Sequence, residues 1–230
     1  MIDKIIEMFK SGGIDIDSSQ AEKFSTLFEF MVEYNRNVNL TAITEFSEVV
    51  MKHFIDSVLP FTMIEISDGS SFIDVGTGAG FPSLPLLILR PDLHGTLCDS
   101  LQKRCTYLEL ACAKIGINAE IIHARSEELA RNHREKYDFA TARAVAAMPV
   151  LTELCLPFVR VGGEFIALKS VNEDLKCAES AVKILGGEIG KITDYKLPNG
   201  DDRRMAVVKK ISQTPTKYPR SYANITKKPL

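Results

Sequence analysis

At 230 residues, of which 45% are hydrophobic and 25% charged, the chain can bury one sizeable core but leaves little length for a second large domain. A net charge of −2, with no apolar run approaching the ~20 residues of a membrane span, points to an ordinary soluble, cytoplasmic protein without a membrane partner. Five cysteines with no C-x-x-C pair read as reduced core thiols, with Cys98, Cys105 and Cys112 at seven-residue packing intervals, and four scattered histidines argue against a metal site.

In chain order, helical periodicity covers residues 3–9, then 18–34 with Ser18 or Ser19 as N-cap, then 44–61, where Phe46, Val49, Val50, Phe54 and Val58 are the apolar positions. Residues 1–66 are therefore expected to form a helical N-terminal cap. From residue 71 the pattern changes to short β-rich runs at 71–75, 95–99, 120–124, 137–141 and 164–169. Helical stretches at 84–89, 101–115, 126–131 and 149–158 separate them. Such alternation predicts a parallel sheet covered on both faces, spanning a core of residues 67–212. After a helix at 173–185 come strands at 188–196 and 205–211 joined by Pro-Asn-Gly-Asp-Asp, a connection short enough to require antiparallel pairing. A mostly parallel Rossmann-like sheet closed by an antiparallel C-terminal hairpin is the class I S-adenosylmethionine-dependent methyltransferase arrangement, an analogy at the level of fold.

The first strand runs into Phe72-Ile73-Asp74-Val75-Gly76-Thr77-Gly78-Ala79-Gly80. Gly76, Gly78 and Gly80 let the backbone lie against a ribose or amino-acid moiety, and Asp74 can accept from an ammonium or from turn N–H groups. The G-x-G-x-G spacing differs from the G-x-G-x-x-G that seats a pyrophosphate, which favours S-adenosylmethionine over a nicotinamide or flavin cofactor. A structural glycine turn is the remaining reading. Asp99, 23 residues beyond Gly76, stands where an acid can accept from both ribose hydroxyls, and it can also cap the following helix. Ser126 and Glu127 open a helix where they could read the adenine edge or serve only as cap and first-turn acid. Phe81 either faces the cofactor or plugs the core.

The methyl acceptor is narrowed by what the chain lacks. None of the five cysteines adjoins a proline, as a carbon-5 pyrimidine methyltransferase's nucleophile usually does, and the N/D-P-P-Y/F turn for exocyclic amines is replaced by Thr141-Ala142-Arg143-Ala144-Val145-Ala146. What remains suits guanine N7, which has a free lone pair and no proton to remove. Arg143 could bind a phosphate or the base's O6, or it could form a structural salt bridge. From Arg203 to Leu230 there are eight Lys or Arg and no Asp or Glu, whereas residues 1–202 carry 20 basic and 30 acidic side chains. Residues 213–230 thus read as a basic arm for a polyanion. Arg203, Arg204, Lys217, Arg220, Lys227 and Lys228 are its RNA-binding candidates, and Tyr218 and Tyr222 could stack on bases. A frayed solubilising tail is the alternative.

Asn39-Leu40-Thr41, His53-Phe54-Ile55-Asp56-Ser57, the run from Phe72 to Pro82, Asp99-Ser100-Leu101-Gln102-Lys103-Arg104 and Arg143-Ala144-Val145-Ala146 together resemble the ribosomal RNA small subunit methyltransferase G family, also called glucose-inhibited division protein B. The resemblance implies a bacterial cytoplasmic enzyme that methylates N7 of a guanosine in the 530 loop of 16S ribosomal RNA, as naked RNA or in a ribonucleoprotein particle. It also implies cofactor contacts at Gly76, Phe81, Ser126, Glu127 and Arg143. Ser83 stands where the family usually has glycine, and the Lys217-Tyr218-Pro219-Arg220 ending lacks the customary glycine after it. An NAD-dependent oxidoreductase and a non-catalytic RNA-binding module are the competing readings.

Overall fold

The computed structural model describes residues 1–143 and 146–230. Ala144 and Val145, part of the quoted turn after the fourth strand, lie outside the described residues. The cap begins with α1 (Ile2–Ser11), which buries Ile5 and Phe9, and α2 (Ser18–Asn35). The N-cap of α2 is Asp17, not Ser18 or Ser19: its carboxylate accepts from Gln20 N at 2.7 Å while Gln20 Oε1 accepts from Asp17 N at 3.0 Å. This reciprocal pair satisfies two orphan donors, one through each side chain. Phe9, Phe24 and Phe54 pack in series, with centroids 4.7 and 5.0 Å apart, and join the cap into one core.

The third helical stretch is broken rather than continuous. It runs as α3 (Phe46–Val49), a π-helical segment (Val50–Ile55), α4 (Asp56–Val58) and a 3₁₀ turn (Leu59–Met63). The wider π winding is a local departure of the kind that recurs at functional sites, and this one carries Lys52 and His53.

The remaining elements alternate: β1 (Ser71–Val75), α5 (Ser83–Leu89), β2 (His94–Asp99), α6 (Gln102–Ile115), β3 (Glu120–His123), α7 (Ser126–Leu129), β4 (Tyr137–Arg143), α8 (Met148–Cys155) and β5 (Val159–Lys169). Then follow α9 (Glu179–Ile184), β6 (Gly187–Lys196), β7 (Asp202–Lys210) and α10 (Tyr222–Lys227). All seven strands form one sheet in the order β3-β2-β1-β4-β5-β7-β6. β1 to β5 pair in parallel, and β7 is antiparallel to both β5 and β6. Strand order reverses between β1 and β4, so the ligand crevice lies beyond the carboxyl ends of these strands. α5 and the cap cover one face, with Phe72, Phe139 and Leu168 in the shared cluster. α8 and α9 cover the other, against Ile73, Phe165 and Val208.

The segment after β7 is not a free arm. Tyr218 and Ile225 are buried in the cluster under α8, and Arg220 donates from Nη2 to Glu153 Oε2 at 2.6 Å and from both its backbone N and Nε to Oε1 at 2.9 Å. Glu153 lies fully buried within α8. Lys210 is buried as well and donates to the carbonyls of Leu156 and Leu185. The acids absent from residues 203–230 are thus supplied from elsewhere in the chain, a correction to the expectation of an unopposed basic run. Removing one partner of a buried ion pair leaves an uncompensated charge, so Arg220→Ala should destabilise the fold by about 3 kcal/mol. Urea unfolding checks this, and a midpoint equal to that of wild type would contradict it.

Candidate functional site

The glycine turn follows β1 directly. Gly76 and Thr77 donate from N to Cys98 O at 2.9 and 3.2 Å, which folds the turn over the end of β2. Gly78 has φ +62°, and a Cβ there would find only Gly76 O within 4 Å, so its outer side is an open cradle. Gly80 has φ +89°, and a Cβ there would meet Leu84 Cδ1 at 2.4 Å. One glycine therefore leaves room for a ligand and the other lets α5 pack close.

Asp99 orders this turn. Its Oδ2 accepts from Gly78 N at 3.0 Å and from Arg104 Nη1 at 3.3 Å, and its Oδ1 accepts from Leu101 N at 2.9 Å. Asp99 is not the N-cap of α6, which is Leu101 without a side-chain cap; its carboxylate orders the turn leading into the helix and retains acceptor capacity. Asp74 is fully buried behind the turn, and its Oδ2 accepts from Ser83 Oγ at 2.6 Å. Asp74 Oδ1 and Thr77 Oγ1 are buried with no hydrogen-bond partner. Burial pushes the Asp74 carboxyl up to about 7, against the Ser83 hydrogen bond that pulls it down. Ser126 and Glu127 are buried at the start of α7, and Phe81 is buried too, its ring stacked on His53 at 4.7 Å and facing the Arg143 guanidinium at 5.2 Å. All eight residues expected around the cofactor thus gather at the carboxyl edge of the sheet.

Arg143 ends β4 and reaches into the cap. Its Nη1 donates to Lys52 O at 3.1 Å and lies 3.4 Å from Asp56 Oδ2, while Nη2 is 3.3 Å from His53 Nδ1. Asp56 also accepts from Arg203 Nε at 3.0 Å. Arg143 is therefore both paired and at the site, and its two sequence readings are not exclusive. Burial is the main cause raising Asp56 above the usual carboxylate range, with both arginines opposing it. His53 Nε2 lies 2.8 Å from Thr41 Oγ1, and burial together with Arg143 lowers the imidazole to about 4. His53 is neutral at pH 7. Its Nδ1 lies 3.3 Å from Arg143 Nη2, which can only donate, and 3.2 Å from Lys52 O, which can only accept. Assigning Nδ1 as the acceptor for Arg143 leaves Nε2–H to donate to Thr41.

Lys52, His53, Asp56, Arg143 and Arg203 line a cavity of about 780 Å³ together with Lys169, Tyr195 and Glu173. Of the eight cofactor candidates Arg143 alone lines it, and the glycine turn, Asp99, Ser126 and Glu127 lie outside its lining. Lys169 ends β5 as Arg143 ends β4, pairs with Glu173 at 2.9 Å and donates to Ala146 O. Its position at a strand end was the available sequence signal, but a lone lysine there has no motif to mark it. Cys177, expected in the core, is exposed and lines the same cavity. Of the RNA candidates, Arg203 is at the cavity and Arg204 pairs with Asp194, while Arg220 is committed to Glu153. Lys217, Lys227 and Lys228 are exposed.

The family profile described as rRNA small subunit methyltransferase G matches residues 20–203. The chain is 45% identical over 234 residues to the ribosomal RNA small subunit methyltransferase G of Lactobacillus acidophilus, covering 98% of this chain and 97% of that one. Its identity to the protein of the same name from Clostridium beijerinckii is 46% over 224 residues, 95% and 94% of the two chains. Among solved structures, a SAM-dependent methyltransferase from Aquifex aeolicus superposes with a TM-score of 0.53 at 15% identity over 71% of this chain and 93% of that one. A 16S rRNA adenine-N1 methyltransferase variant from Catenulisporales acidiphilia gives a TM-score of 0.53 at 12% identity, over 64% and 87%. These likenesses bear on the fold, which is that of the S-adenosylmethionine-dependent methyltransferases.

Two buried groups at the site titrate in opposition. Folded Asp74 keeps its proton to about pH 7, while the unfolded carboxyl loses it near 3.8, so this group lowers stability as pH rises from about 4 to 7. Folded His53 stays neutral down to about 4, while the unfolded imidazole protonates near 6.5, so this group raises stability as pH rises from about 4 to 6.5. Relative to wild type, Asp74→Asn should therefore gain stability with rising pH in this window and His53→Leu should lose it, as read by urea unfolding at several pH values. Three parallel curves would refute both assignments.

Proposed function

The chain belongs to the rRNA small subunit methyltransferase G family, and on that premise we propose that it transfers a methyl group from S-adenosylmethionine to N7 of a guanosine in the 530 loop of 16S ribosomal RNA. The observation that carries the cofactor assignment is the open cradle at Gly78 backed by the buried Asp74 carboxyl, whose Oδ1 lacks a well-formed hydrogen bond although Ser83 and Thr77 lie close enough to stabilise its charged form. An unpartnered buried acceptor costs free energy that a ligand's ammonium would recover. In this reading Asp74 and the turn at Gly76 and Gly78 hold the amino-acid end, Asp99 takes the ribose diol, Ser126 and Glu127 take the adenine edge, and Phe81 packs beneath with Arg143 beside it. When bound, the cofactor supplies an electrophilic methyl group on a sulfonium. A nicotinamide cofactor would instead need a seat for its pyrophosphate, which G-x-G-x-G does not build.

The acceptor follows from what the cavity's groups can do. Asp56 is committed to two arginines and His53 presents its free nitrogen to Arg143, so neither is placed to remove a proton from a substrate. Burial raises the Cys98 thiol to about 12 and the Cys155 thiol well above its ordinary value, and the cavity's Cys177 is raised by partial burial and by Asp174 and Glu173. No thiolate nucleophile is prepared among them. Guanine N7 needs neither a base nor a nucleophile, because its lone pair attacks directly. Arg143 and Lys169, at adjacent strand ends, can then hold O6 or a flanking phosphate.

Asp99→Ala should weaken S-adenosylmethionine binding by about 10- to 100-fold, the loss of charged hydrogen bonds. Calorimetric titration reads this, with NADH as the control that binds only if the oxidoreductase reading holds. Mapping N7-methylguanosine in 16S rRNA from a deletion strain carrying wild type or Arg143→Ala tests the acceptor, and methylation elsewhere than in the 530 loop would overturn it. The exposed lysines provide the polyanion contacts in this reading. Replacing Lys217, Lys227 and Lys228 together by Gln should flatten the dependence of log RNA affinity on log salt by about 2, at about 0.7 for each single-strand phosphate contact. An unaltered slope would mean that these lysines face solvent only.

A further inference from the structure

The segment that reads in sequence as an RNA-binding arm packs against the loop assigned to the adenine. The Arg125 guanidinium, immediately before Ser126 and Glu127 and at the N-cap of α7, sits over the Tyr222 ring of α10 at 5.6 Å. Four residues on, Leu129 and Ala130 share a buried cluster with Tyr218 and Ile225. The same segment is bolted to α8 by the bidentate contact of Arg220 with buried Glu153, and α8 packs against α7. A four-residue helix such as α7 has almost no stability of its own. Its conformation must be imposed from outside, where α8 packs against it and the C-terminal segment meets it at Arg125 and in the shared cluster.

We infer that residues 214–230 are a positioning element for the cofactor, holding Arg125, Ser126 and Glu127 in the binding conformation through Tyr222 on Arg125 and through the Arg220–Glu153 anchor. Tyr222 is a positioning residue, because it acts through Arg125 and not on the ligand. Its ring is turned toward the protein's own arginine, which displaces the idea of a base-stacking platform. Fixing a loop in its bound geometry increases affinity by removing an ordering cost from the binding step. The inference rests on the assignment of Ser126 and Glu127 to the cofactor.

The test is calorimetric titration of full-length protein with S-adenosylhomocysteine, paired with steady-state methylation of 16S rRNA. A wild-type protein that fails to bind S-adenosylhomocysteine would sink the cofactor assignment itself. Given wild-type binding, Tyr222→Ala, at a 40% exposed position where folding should survive, is expected to weaken affinity and raise KM for S-adenosylmethionine about 2- to 5-fold. Its kcat and its KM for RNA should stay at wild-type values, and Tyr222→Phe, which keeps the ring over the guanidinium, should restore binding. Arg125→Ala should match Tyr222→Ala in the S-adenosylhomocysteine titration, and the double variant should be no worse than either single one. Amide exchange should accelerate in residues 124–130 of Tyr222→Ala and not in residues 76–80. Unchanged S-adenosylhomocysteine affinity in folded Tyr222→Ala overturns the inference, and a raised KM for RNA alone would make Tyr222 an RNA contact instead.

Discussion

The Asp56 carboxylate, held between Arg143 at the end of β4 and Arg203 at the start of β7, is the contact around which the rest of the site is arranged. Two guanidinium groups withdrawn from water need a counter-charge, and the cap supplies it. The pairing docks the cap on the sheet and places Arg143 against the Phe81 ring, and the neighbouring guanidinium helps keep His53 uncharged. The basic side chains lining the cavity are each paired: Arg203 also meets Asp201, Lys52 meets Glu48 and Lys169 meets Glu173. A partly desolvated cavity lined by ion-paired arginines and lysines offers donors that are already held in place to an RNA phosphate.

The parallel strands were legible from their apolar centres, and β1 was read at its observed bounds, whereas β5 begins at Val159, before the expected 164, because its Arg160-Val161-Gly162-Gly163 stretch lacks an apolar run. The glycine turn was legible for a similar reason, since backbone conformations at positive φ leave a direct trace in residue type. Asp99 could be placed by its distance from Gly76, and the hairpin by Pro-Asn-Gly-Asp-Asp. The π segment at Val50–Ile55 was not legible, because a single wide turn keeps the apolar residues of an ordinary helix. Charge partners were also hidden. The Arg204–Asp194 pair follows from the register of β6 on β7, and Arg220 meets Glu153 across 67 residues, so a count of local charge mistakes paired groups for free ones.

The site's economy lies in what it keeps inactive. Its histidine is held neutral, its central carboxylate is occupied by arginines, and its one lining thiol, Cys177, is held above its ordinary value by partial burial and by Asp174 and Glu173. Such a cavity suits the proposed N7 acceptor, which is nucleophilic as it stands. Asp74 differs from these groups, since its Oδ1 is buried without a well-formed hydrogen bond.

The Glu153–Arg220 contact also bears on the order in which the chain is made. Synthesis is vectorial, so α8 and the sheet around it emerge while the partner of Glu153 is still 67 residues away. Until then a carboxylate destined for a dry interior has no counter-charge, and the nascent domain stays open at that face. Packing of α8 therefore waits for almost the whole chain. A premature stop just upstream of Arg220 would spare every strand and every residue assigned to the cofactor, yet it would leave a permanently unfinished interior for proteolytic surveillance to find.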